Sequence, residues 1–194
     1  TTQIGCHRHI IPYVPRKIES FLFTDATPKQ LGAVLVHKGR IWLWTETLKK
    51  DQQIAQAEAS ACAGAARHWR EHIRNIGLCV VLDNVAVLCA LAKGFSSNFW
   101  VNKAVCETIS LWQQTRVSIQ LFYVRSAENP ADTMSRERDE ELAREMVESS
   151  FFSGLGTLPE WVVRKRPMFE GSNLPIYLWR GGTELEESPQ TMFI

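Results

Sequence analysis

Five consecutive apolar residues, Leu78-Cys79-Val80-Val81-Leu82, bounded by Gly77 and by Asp83-Asn84, set the strongest limit on how this chain can fold. The run is too short for an independent helix and offers no polar face, so it reads as a strand buried on both sides. Such a strand needs covering layers, and helix patterns lie on either side of it. From Gln52 to Asn75 the chain is rich in Ala, lacks Pro and is soon followed by Gly77, which predicts one long helix. A short helix is expected from Val85 to Lys93. The segment from Asn98 to Gln114 sets Val101, Val105, Ile109 and Trp112 on one stripe, the pattern of a second long amphipathic helix.

Ahead of these, Phe21 to Asp25, Gly32 to His37 and Arg40 to Thr45 read as three strands, the last two joined by Lys38-Gly39, which predicts an antiparallel meander. Ile119 to Val124 reads as a fifth strand. Asn129-Pro130 breaks it, and Asp132 falls at or within a short helix after the turn. Three antiparallel strands followed by crossover-connected ones imply an α/β domain with a mixed five-stranded sheet flanked by helices, over residues 20–137. Residues 1–19 show no sustained period and read as a tether arriving from something upstream. Residues 138–194 read as a charged helix, Arg138 to Val147, and then an irregular extension punctuated by Gly and Pro. That extension has too many aromatics for simple disorder, so it is expected to pack on the core or on a neighbouring domain.

Composition narrows the function. With 22 basic and 21 acidic side chains the net charge is +1, so no global field attracts a polyanion and any nucleic acid must be held by a local patch. Five cysteines (6, 62, 79, 89 and 106) form no Cys-x-x-Cys pair and lie mostly in apolar runs, which reads as reduced thiols of a soluble intracellular protein, cytoplasmic or nuclear. No apolar run is long enough to span a membrane, and the N-terminus lacks the hydrophobic region of a signal peptide.

Four carboxylates stand beside strongly apolar or structure-setting sequence: Asp25 in Phe-Leu-Phe-Thr-Asp-Ala-Thr, Glu58 in Gln-Ala-Glu-Ala-Ser-Ala, Asp83 in Val-Val-Leu-Asp-Asn and Asp132 in Asn-Pro-Ala-Asp-Thr-Met-Ser-Arg. A buried carboxylate costs several kcal/mol unless a partner or a metal compensates it, so the set predicts a divalent-cation site. At 100° per residue Glu58 shares a helix face with Cys62, Ala65 and Trp69, whereas Arg67, Arg70 and Arg74 fall about 120–180° away. Glu58 is therefore expected to point inward and the arginines outward.

Taken with their neighbours, these acids resemble the ribonuclease H domain of retroelement reverse transcriptases, most finely those of hepadnaviruses and of DIRS- and VIPER-like tyrosine-recombinase retroelements. The stretches that carry the resemblance are Phe23-Thr24-Asp25-Ala26-Thr27-Pro28, Ala57-Glu58, Leu82-Asp83-Asn84, the aromatic segment Phe95 to Trp100, and Asn129-Pro130-Ala131-Asp132 with Ser135-Arg136. The resemblance implies hydrolysis of the RNA strand of an RNA/DNA hybrid, with two Mg²⁺ or Mn²⁺ ions about 3.5–4 Å apart. It makes Asp25, Glu58, Asp83 and Asp132 the ligands, with Asp25 bridging both ions. It also implies an upstream reverse transcriptase domain of the same polyprotein as partner. Thr27, Asn84, Ser135 and Arg136, which lie beside the acids, are the candidates for contacts to the hybrid backbone. Many relatives carry a mobile His about ten residues before the last acid, and Phe122 to Ala131 contains none. Hepadnavirus-like members also lack it there, so its absence favours that branch. The basic protrusion with which the family grips the hybrid is not evident either, which implies low turnover or dependence on the polymerase for binding, and a catalytically inactive binding or interaction module is the alternative.

The remaining candidates have plainer readings. His68 and His72 are spaced to share a metal but lack a third ligand, so they read as solvated helix surface. Cys6-His7-Arg8-His9 reads as tail, Arg164-Lys165-Arg166 as a solvated cluster, Trp42 and Trp44 as packing rather than base-stacking residues, and Trp100 and Trp112 as core or helix-seat residues.

Overall fold

The computed structural model describes residues 16–150 and the short strand Ile176–Leu178. Three leading strands, β1 (Ile18–Ala26), β2 (Gln30–His37) and β3 (Arg40–Thr47), pair antiparallel in sequence order. Lys38 and Gly39 both take positive φ, 50° and 70°, as the two-residue hairpin between β2 and β3 requires. β4 (Gly77–Leu82) runs parallel to β1, and β5 (Ser118–Tyr123) runs parallel to β4. The mixed five-stranded sheet expected from the element order is thereby formed.

One strand was not legible. β6, Ile176–Leu178, pairs parallel with β5 and makes the sheet order β3-β2-β1-β4-β5-β6. It falls in the stretch read as irregular, and three residues are too few to register a period; the open edge of β5 supplies the pairing.

β4 is buried along its whole length, as its composition demanded. Leu78, Val80 and Leu82 face one core with Leu22, Leu35 and Leu121. Cys79 and Val81 face the other with Phe21, Phe23, Val34 and Phe122. Helices α1 (Ile54–His68), α2 (Val85–Lys93) and α3 (Phe99–Thr115) cover the first face, and α4 (Pro130–Arg136) and α5 (Glu140–Ser150) the second. Ala143 and Val147 of α5 are fully buried there, so the charged helix set apart with the C-terminal extension is packed into this layer.

α1 is shorter than its composition suggested. It ends at His68, and a hydrogen-bonded turn continues to Asn75, whose N–H is taken by the Thr115 carbonyl at 2.8 Å. Two buried anchors, Trp69 and Ile73, hold that turn against the sheet. Arg67, Arg70 and Arg74 are exposed as expected, Arg67 paired with Glu107 of α3 and the other two with Glu71.

Small residues let α1 sit close to the sheet. A side-chain carbon at Gly64 would run into the ring of Trp44. His68 stacks on Trp44, and His72 lies 4.8 Å from Trp42, ring centre to ring centre. His68 is exposed, as expected of helix surface, and His72 is half-buried, while both rings lie against the β3 tryptophans, which serve packing. Trp112 is buried, but Trp100 is 54% exposed with its ring edge-on to that of exposed Phe99. The helix-seat expectation fails for Trp100. Asn98 caps α3 by accepting from the N–H groups of Trp100 and Val101, and burial of the helix stripe begins only at Val101. The Cys6-His7-Arg8-His9 and Arg164-Lys165-Arg166 clusters lie outside the described residues.

Candidate metal centre

Parallel pairing of β1 with β4 matches Phe23 to Val81, so two residues further on Asp25 and Asp83 stand side by side at the carboxyl edge of the two central strands. Alternation along β1 puts Asp25 on the side of Phe21 and Phe23, which α4 covers. Glu58 approaches from the opposite layer, one turn into α1, where the face it shares with Cys62, Ala65 and Trp69 is buried. The three meet at the sheet edge, offering carboxylate oxygens that all lie within 4.8 Å of one another.

The electrostatics follow from crowding without cations. Asp25 is 3% exposed and Glu58 4%. Burial, moderated by the Ser135 hydroxyl and reinforced by the charges of Asp83 and Asp132, pushes the Asp25 carboxyl up to about 7. Burial, with the charges of Asp25 and Asp83, pushes Glu58 up to about 9 although the Ala26 N–H bonds it. Asp83 is raised chiefly by burial, against a hydrogen bond from Ser126. Glu58 Oε2 and Asp83 Oδ1 are buried with no hydrogen-bond partner. Three acidic groups held this close, with acceptor oxygens left orphaned, fit a hard divalent cation such as Mg²⁺ or Mn²⁺, which takes oxygen ligands.

Asp132 stands apart from this triad. It lies in the first turn of α4, near enough for its charge to raise Asp25, Glu58 and Asp83. Its Oδ1 accepts from Arg136 Nε at 2.7 Å and from Ser126 Oγ at 3.4 Å. The acid at the rim is thus paired within its own helix.

The four residues assigned to the hybrid backbone divide. Arg136 is exposed beside Asp132. Asn84 caps α2, its side chain accepting from Val87 N at 3.1 Å, and Thr27 closes the β1–β2 turn, accepting from Gln30 N at 3.0 Å. Both flank the acids but have local duties. Ser135 lies inside. It is 1% exposed, and its hydroxyl donates to Asp25. Helix geometry turned it inward, a fact that adjacency in sequence cannot reveal.

Two positioning elements were missed. Asn129 is fully buried; its Nδ2 donates to the Thr24 carbonyl at 3.0 Å and its Oδ1 caps α4 by accepting from Ala131 N at 3.1 Å. It ties the start of α4 to the residue before Asp25. An Asn followed by Pro at the first helical position was the signal that could have found it. Asn129→Ala should cost about 2–4 kcal/mol, because it removes a cap and orphans a buried carbonyl, and a urea titration reading less than about 1 kcal/mol would refute that role. Gly32 of β2 is the second, since a side-chain carbon there would lie 2.5 Å from Ser135 N and 2.8 Å from the Ala131 carbonyl oxygen. Gly32→Ala should destabilise by about 2–3 kcal/mol through overpacking, read as a lower urea midpoint at unchanged slope. No sequence signal marks Gly32.

No protein-family model and no curated protein matches this chain. Solved structures do match it in shape. RNase H1 from the halophilic archaeon Halobacterium salinarum superposes at a TM-score of 0.52 with 18% identity, over 64% of this chain and 97% of its own. The N-terminal RNase H domain of a Mycobacterium tuberculosis protein gives 0.55 at 14% identity, over 66% of this chain and 98% of that one. LC11-RNase H1, solved in complex with an RNA/DNA hybrid, gives 0.54 at 11% identity, over 61% and 95%. The strand order, the flanking helices and these superpositions give the chain a ribonuclease H-like fold.

Proposed function

We propose that this chain is a divalent-metal-dependent endonuclease that hydrolyses the RNA strand of RNA/DNA hybrids, working as the ribonuclease H part of a retroelement reverse transcriptase polyprotein. The observation that carries the reading is the convergence of Asp25, Glu58 and Asp83 within 4.8 Å, two of them with orphaned buried oxygens. A ribonuclease H-like fold, matched in shape by a neighbour solved with an RNA/DNA hybrid, supports the substrate class.

Asp25, Glu58 and Asp83 would hold the cations, with Asp132 completing the set from the rim. Bound divalent cations supply Lewis acidity toward water and toward the charge that develops on the phosphate. The chain's own residues do the rest. Burial of Asp25 and Glu58 removes competing solvent from the ligand oxygens and strengthens every local charge interaction. Asn129 and Ser135 fix α4, and hence Asp132, against β1. Arg136, exposed beside Asp132 at the rim, would meet a backbone phosphate, with Thr27 and Asn84 on the flanks of the acids. A net charge of +1 leaves most of the grip on the hybrid to the polymerase domain.

The test is cleavage of an end-labelled RNA/DNA hybrid by the purified chain in Mg²⁺ or Mn²⁺, beside EDTA, single-stranded RNA and duplex RNA. Metal-dependent cleavage confined to the hybrid is expected. A folded chain that binds the hybrid but leaves it intact in either metal would favour the inactive binding module instead.

A further inference from the structure

In the hydrolytic reading Ser135 serves only to fix α4, yet the bond that does so ends on a proposed cation ligand. At 1% exposure it meets no substrate, yet its hydroxyl donates to Asp25 Oδ2, and it lies 3.0 Å from the backbone carbonyl of Asp132. A serine hydroxyl has one proton to give, and a carboxylate is a stronger acceptor than a carbonyl. The proton therefore serves Asp25. Its hydroxyl is the side-chain hydrogen-bond donor that Asp25 has among the described residues.

The depth of Ser135 is set from outside its own helix. Gly32 leaves no room for a side-chain carbon against the Ser135 N–H. It does not take a positive φ, so close approach, rather than backbone freedom, is its use there. Gln30, two residues earlier on the same strand, donates Nε2 to the Met134 carbonyl at 2.7 Å. Arg138 in turn donates to Gln30 Oε1 at 2.9 Å and to Thr47 Oγ1 at 2.6 Å, which ties the same grip to β3. The strand thus grips the backbone on both sides of the 134–135 peptide.

On the reading of the site given above, we propose that Ser135, seated by Gly32 and Gln30, is a positioning residue that fixes the orientation of Asp25 as a cation ligand. Two carboxylate rotamers are open to an aspartate at a strand end, and a donor anchored in another element selects one of them. Because the anchor sits on α4, the helix that also carries Asp132 and Arg136 is registered against the triad by the same bond.

The test is Mn²⁺ affinity of the full chain, read from the electron paramagnetic resonance signal of free Mn²⁺, for the wild type, Ser135→Ala, Ser135→Cys and Asp25→Asn. Ser135→Ala should weaken Mn²⁺ binding about 10- to 100-fold, the usual effect of removing an outer hydrogen bond to a metal ligand. Ser135→Cys, with a weaker donor of similar size, should fall between. In hydrolysis the Mn²⁺ activation curve should move to higher concentration. Affinities within about twofold of wild type for both Ser135 variants would overturn the proposal; if Ser135→Ala does not fold, Ser135→Cys decides alone. The Asp25→Asn arm separates the two readings. Loss of Mn²⁺ there, with Ser135 variants intact, rejects only the role of Ser135, whereas retention of Mn²⁺ by Asp25→Asn rejects the metal site itself.

Discussion

Asp25→Asn is expected to abolish cleavage of the hybrid and at the same time to make the metal-free protein more stable near pH 8. If Asp25 is a cation ligand as proposed, its loss would remove about 4 kcal/mol or more of transition-state stabilisation, a fall of about 1,000-fold or more in rate. The opposite sign for stability has a separate cause. Asp25 is buried among two other acids of the triad, with its carboxyl pushed up to about 7, so above that pH the ionised form strains the native state. A neutral amide of the same shape removes that strain and should add about 2–4 kcal/mol of metal-free stability. Asp83→Asn should behave alike in activity, with a gain of the same sign because Asp83 is also raised by burial. The pair of readouts is hydrolysis in Mn²⁺ and urea unfolding in EDTA. An Asn variant that cleaves normally, or one that loses stability in EDTA by several kcal/mol, would count against an unneutralised carboxylate cluster.

The second large effect is the pH dependence of stability, and its direction is opposite to that of a protein held by salt-bridged carboxylates. Asp25 and Glu58 have native values near 7 and 9, above the ordinary 3.8 and 4.5. The native state therefore binds protons that the unfolded chain has released. Stability from these groups is complete below about pH 4 and declines as pH rises, through about 7 for Asp25 and about 9 for Glu58. In EDTA the melting temperature should drop by about 5–10 °C between pH 5.5 and 8.5, corresponding to a few kcal/mol at about 2–4 °C per kcal/mol for a chain of this size. Millimolar Mg²⁺ or Mn²⁺ should reverse the trend, because cation binding requires ionised ligands and strengthens with pH. Thermal unfolding at three pH values, with and without metal, checks both halves. A metal-free stability that rises from pH 5.5 to 8.5 would show that these carboxyls ionise freely in the native state.

Both expectations rest on a cluster whose members were visible in the primary structure while its geometry was not. Each acid announces itself by company: Asp25 ends an apolar strand, Glu58 lies on the inward stripe of an Ala-rich helix, and Asp83 closes a run buried on both faces. Parallel pairing of β1 and β4 could be anticipated from the order of elements, because crossover connections restrict which strands can be neighbours. Asp132 was equally visible, but its distance from the other three and its pairing with Arg136 were not, since both depend on where a seven-residue helix lands.

Periodicity determined the α/β class, the three-strand meander, the placement of α2 and α3 to within a residue or two, and the inward turn of Glu58 away from the arginine stripe. These are local consequences of side-chain alternation and helical repeat, and they need no knowledge of distant contacts. Only the tertiary structure decided the rest. It added β6 beside β5, ended α1 at His68, left Trp100 in solvent, and brought α5 into the second layer. It also turned Ser135 from a surface candidate into a buried donor to Asp25, held there by Gly32 and Gln30 from a strand about a hundred residues earlier. The reason is common to all of these. Each is settled by the free energy of contacts between segments far apart in the chain, which no window of sequence contains, whereas the acids stood out in the sequence because a carboxylate in apolar company is costly unless a partner or a cation compensates it.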